Sequence, residues 1–172
     1  MPKQIKKEAI NSKEKTNRTF AILSMTAAIL MWALIIFLLP KMIKTESTVM
    51  TSIFTVGYVF FMVSCAVHCI TAYSFFKATD NFTGIFHGLI SLVCTLFCIF
   101  NLRFILVMLF SAFGNDKAAK WFIGSKTMTE FLGTQSSNWT CFVFALIIMI
   151  IIGLLGIIRL VTYNKKTKIK TT

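Results

Sequence analysis

Residues 82–102 read FTGIFHGLISLVCTLFCIFNL, a run with no Asp, Glu, Lys or Arg. A helix needs about 20 predominantly apolar residues to cross the hydrocarbon core of a bilayer, and this run supplies them. Three further stretches share the property: Phe20–Leu39, Val49–Phe76 and Trp139–Ile158. All six acidic residues (Glu8, Glu14, Glu46, Asp80, Asp116 and Glu130) fall in the tails and connections. The pattern predicts an all-α membrane protein, an antiparallel bundle of four transmembrane helices.

The composition agrees. Hydrophobic residues make up 56% of the 172 and charged residues 14%, where soluble domains carry about 25% charged. That length holds one bundle and no separate soluble domain. The expected organisation is a basic tail at 1–19, a membrane domain at 20–162 and a second basic tail at 163–172. Within the domain, helices are expected at about 20–39, 49–76, 82–110 and 139–161.

A net charge of +12 invites a nucleic-acid reading, but its placement argues otherwise. Eleven of the 18 basic residues flank the bundle at its two ends, from Lys3 to Arg18 and from Arg159 to Lys170. The positive-inside rule accounts for such tails, puts both termini in the cytoplasm and suits an even number of crossings. The expected partners are therefore the lipid bilayer and another membrane protein or a second copy of this chain, with no nucleic acid. The cell membrane is the expected location. The first run is too long for the apolar region of a cleaved leader and ends at Leu39-Pro40-Lys41 without a small-x-small site, so it reads as a retained helix.

Pro40 suits the exit of the first helix, since it lacks an N–H and has a fixed φ. Past Arg103 the apolar character continues through Phe113, which leaves two readings: one long helix, or a crossing that ends near Leu102. Between Lys117 and Leu132, Trp121, Ser125, Met128 and Leu132 recur at helical spacing, which predicts a short interfacial helix in the second outer loop. Trp139 and Tyr163 bracket the last crossing as interfacial anchors would.

Gly84, Gly88, Ser91, Thr95 and Cys98 recur every four or three residues and place small side chains on one face of the third helix. Such a stripe lets two backbones approach and serves helix packing, inside the chain or across a homodimer. His68 and His87 lie at nearly matching depth on either side of the hairpin between helices two and three. They form, with Arg103, the candidate intramembrane polar site. Ligand binding by the histidine pair and ordinary hydrogen bonding across the bundle are both compatible with the sequence. Arg103 either snorkels to the interface or finds an internal partner. The five cysteines read as soft packing residues, no disulfide framework is implied, and no metal or other cofactor is expected. The Asn-x-Thr triplets at Asn17, Asn81 and Asn138 are weak glycosylation signals.

No acidic residue enters an apolar run, which argues against a carrier built on intramembrane carboxylates. No P-loop, nucleophile elbow or zinc-protease motif occurs, so no catalytic residue is expected. The leading expectation is a non-enzymatic accessory protein: an organiser, complex subunit or immunity-type protector acting through helix–helix contacts. A small transporter or oligomeric pore component is the first alternative, and a redox or metal protein using the paired histidines is the second.

Overall fold

The computed structural model describes residues 3–41, 47–79 and 82–169. Among them the chain forms five helices: α1 (Lys3–Phe37), α2 (Thr48–Thr79), α3 (Phe82–Ala112), α4 (Asp116–Ile123) and α5 (Met128–Ile169), with no strand. Four of these, α1, α2, α3 and α5, are long and apolar enough to cross a membrane. Residues 42–46, Asp80 and Asn81, and the side chains of Asn138, Arg159 and Tyr163, lie outside the described residues.

The helix ends differ from the sequence expectation chiefly in three places, one of them the end of α5, which runs to Ile169 and takes in most of the expected second basic tail. α1 starts at Lys3 rather than Phe20. The segment expected as a separate basic tail lacks Gly and Pro after Pro2, and Glu14 pairs with Arg18 one turn on, a favourable i,i+4 arrangement. α5 starts at Met128, eleven residues before Trp139. Its first turn carries a capping box: the Thr127 N–H donates to the Glu130 carboxylate at 2.8 Å, and the Glu130 N–H donates to the Thr127 hydroxyl at 3.3 Å. Each satisfies a donor that the helix itself leaves open. A short helix, α4, stands in the segment where one was expected, but it stops at Ile123, so Met128 and Leu132 belong to α5.

α3 runs unbroken through Arg103 to Ala112, which resolves the two readings in favour of one long helix. It ends in a Schellman motif. Gly114, at φ 70°, donates to Ser111 O at 3.0 Å, and Asn115 N donates to Phe110 O at 2.9 Å. Asn115 then caps α4 by accepting from Ala118 N at 3.2 Å. One residue pair thus ends one helix and starts the next. Near Pro40 the regular α1 ends at Phe37, Leu38 N donates to Leu34 O at 2.9 Å, and residues 39–41 are helical again.

α2 packs on α1 and α3, and α5 closes the set by packing on α1 and α3 in turn. The buried positions of α2 are Thr51, Phe54, Tyr58, Phe61, Ser64, Cys65, His68, Ala72 and Phe75. Apart from Ser64 they alternate in steps of three and four, the 3.5-residue repeat of a left-handed helix seam. The middle is filled by rings: Phe142 of α5 lies against Tyr58 and Phe61 of α2, and Trp139 lies against Phe54, Phe104 and Phe142.

Candidate functional site

The small-residue stripe of α3 faces α2. A Cβ built on Gly84 would stand 3.0 Å from the Cβ of Phe76, and one on Gly88 would stand 3.7 Å from the Cβ of Ala72. Farther along α3, Ser91 and His68 share a hydrogen bond, and the Tyr58 hydroxyl donates to the carbonyl of Cys98 at 2.5 Å. Each step forward along α3 meets a step backward along α2. Thr95 differs from the rest of the stripe: it is half-buried, and its hydroxyl donates to Ser91 O of its own helix at 2.8 Å. The face that the sequence left open to packing inside the chain or to a homodimer is therefore occupied within the chain at Gly84, Gly88, Ser91 and Cys98.

His68 and His87 meet. Their ring centroids are 5.7 Å apart with the planes at 78°. His68 is fully buried and His87 half-buried. Ser91 Oγ lies 2.9 Å from His68 Nδ1 and fixes that ring's orientation. His68 Nε2 has no hydrogen-bond partner among the described residues. Leaving a buried polar atom unpaired is costly, which marks the second nitrogen of His68, like Trp139 Nε1, as a chemically open atom among the described residues. Cys65 lies one turn before His68, and Cys94, one turn after Ser91, donates its thiol to Ala145 O at 3.6 Å. Among the described residues no three His, Cys, Asp or Glu side chains are grouped to hold a metal ion.

Arg103 does not join the histidines. Its Nε donates to Phe122 O at 2.5 Å and its Nη2 donates to Ile123 O at 3.2 Å. The guanidinium also sits 5.5 Å from the centre of the Phe131 ring. These carbonyls are the unpaired C-terminal groups of α4, where the helix dipole favours a cation. Gly124, at φ 75°, turns the chain immediately after them. The three-residue polar site expected from sequence thus separates into a buried histidine pair between α2 and α3 and an arginine clamp on α4.

Sequence reasoning missed several interhelical bonds, among them two made by small hydroxyl side chains. The Ser24 hydroxyl donates to Phe20 O at 2.8 Å and to Ser64 O at 3.1 Å, joining α1 to α2. The Thr48 hydroxyl donates to Ala112 O at 2.9 Å and ties the start of α2 to the end of α3. Small polar residues inside apolar runs were the available signal.

No family model matches this chain, and neither the curated proteins nor the solved structures yield a match.

Proposed function

We propose that this chain is an integral membrane protein of four crossings, an antiparallel bundle with both termini in the cytoplasm. Its role is that of a non-catalytic accessory subunit or organiser that contacts another membrane protein through its helices. The observation that carries this reading is the interior. Rings of Phe54, Tyr58, Phe61, Phe104, Trp139 and Phe142 fill the axis, while Tyr58, Ser24, Ser64 and Thr51 direct their hydroxyls to backbone carbonyls. A filled axis of this kind offers a solute no polar route through one copy. On the outside, a groove of about 360 Å³ between α3 and α5 is lined by Phe86, Leu89, Val93, Phe97, Phe144 and Ile148 among others. Side chains of a partner helix fit such an apolar groove by dispersion contacts.

The test has two arms. Extracted from its native membrane in mild detergent, the protein should elute in a particle larger than its own 19.5 kDa plus micelle, and Val93→Trp, which fills the groove, should abolish that particle. In liposomes the purified chain should give no conductance or solute flux. Flux from the pure chain would establish the transport alternative instead.

The contact between His68 and His87 supports one second reading, a redox or metal protein. Visible absorption and metal content of the purified protein decide it: a colourless, metal-free, folded preparation removes it.

A further inference from the structure

We infer that the notch between α3 and α4 holds an anionic phospholipid, its phosphate on Arg103 and one acyl chain along Ile99, Leu102 and Leu106. The inference rests on the membrane reading above. The notch has a volume of about 380 Å³ and is lined by Ile99, Leu102, Arg103, Leu106, Trp121 and Phe122. Its chemistry is divided as a lipid's is, with apolar walls and a single charge at the rim.

Arg103 suits the phosphate. A guanidinium has five N–H donors; two point at the α4 carbonyls, and among the described residues the others meet no protein acceptor. Those two bonds hold the fork in place, so phosphate binding loses little side-chain freedom. The depth is also suitable. A 31-residue helix is about 46 Å long and overhangs a hydrocarbon layer of about 30 Å by roughly 8 Å at each end. Arg103, nine residues before Ala112, then stands about 13 Å from the end of α3, within a side chain's length of the headgroups. Trp121 is 77% exposed, as an indole at the headgroup level would be.

Charge favours an anionic lipid over a zwitterionic one. In the chain from Arg103 to Glu130, Arg103, Lys117, Lys120 and Lys126 outnumber Asp116 and Glu130, and Glu130 is engaged by Thr127. One basic group at the surface favours an anionic lipid about fivefold, and Arg103 is the one charged residue that lines the notch.

The experiment uses the full chain in nanodiscs of equal parts phosphatidylcholine and phosphatidylglycerol, counting the lipid retained on extraction by native mass spectrometry. We expect phosphatidylglycerol to be retained about fivefold over phosphatidylcholine, with the preference lost in Arg103→Gln and in Ile99→Trp. Ile99→Trp fills the apolar wall while leaving the Arg103 bonds to α4 intact, so its loss of preference cannot be ascribed to a detached loop. Equal retention by the wild type, survival of the preference in either variant, or displacement of the lipid by inorganic phosphate alone overturns the site. A chain that alkaline carbonate strips from vesicles fails the membrane reading and takes this site with it, whereas an inserted chain with equal retention overturns the lipid site alone.

Discussion

The imidazole of His68 stands edge-on to that of His87, with 5.7 Å between ring centroids, while Ser91 holds the Nδ1 of His68 from the same helix as His87. Two residues 19 positions apart in the chain thus form the polar centre of the α2–α3 seam. Replacing Ser91 with Ala removes that bond and leaves both nitrogens of His68 without a protein partner. Interhelical bonds of this type are worth about 0.6 kcal/mol on average, so Ser91→Ala should destabilise the fold by about 0.5–1.5 kcal/mol, read from unfolding in SDS. The double variant Ser91→Ala with His68→Leu should recover most of the loss, because removing both partners removes the unpaired group. A double variant as weak as Ser91→Ala alone would count against this account.

The glycines of the helix seams are not equivalent. An added Cβ at Gly88 finds ordinary contact at 3.7 Å, so Gly88→Ala should be close to neutral. Gly88→Leu must push α2 away and should cost about 1–3 kcal/mol. At Gly153 even alanine overlaps the Cβ of Met25 on α1, so Gly153→Ala should be the more damaging alanine variant. Thermal unfolding in detergent ranks them; Gly88→Ala falling below Gly153→Ala would refute the packing.

Tyr58→Phe keeps the ring against Phe142 and removes only the hydroxyl that bonds Cys98 O. The expected loss is about 1 kcal/mol. Tyr58→Leu should lose more, since it also empties space in the ring cluster. SDS unfolding of the two variants side by side makes the comparison.

Arg103→Gln should free α4 without unfolding the bundle, because the bonds it removes are to Phe122 O and Ile123 O alone. Screening at an exposed guanidinium limits the cost to about 1 kcal/mol. The measurement is trypsin cleavage at Lys117 and Lys120, exposed residues of α4, which should speed up severalfold. Arg103→Lys should not restore protection, as an ammonium lacks the two-pronged fork that reaches both carbonyls.

The helix count, the four long apolar helices and the presence of a short helix in the second loop were legible in the run lengths and the Trp121 spacing. The helix ends were less so. The Thr127–Glu130 capping box is a local signal that shifts the start of α5 to Met128, yet the apolar run beginning at Trp139 masks it. The interior face was the hardest to read. In a soluble helix the buried side is the apolar one, but here exposed positions such as Ile70, Leu89 and Ile151 are as apolar as the core. Small and hydroxylated residues distinguish the seam better than hydropathy does, and on α3 Gly84, Gly88 and Ser91 face α2.

The residues alone pointed to long helices, because in lipid apolar runs of that length would have to satisfy their backbone polar groups within themselves, and four such helices are present among the described residues. Which faces meet was decided by the packed structure, through the fit of Tyr58 to the Cys98 carbonyl, Gly153 to Met25 and the guanidinium of Arg103 to the end of α4. Those choices depend on shape and on single hydrogen bonds between segments far apart in the chain, and hydropathy, nearly uniform around each helix, carries no information about them.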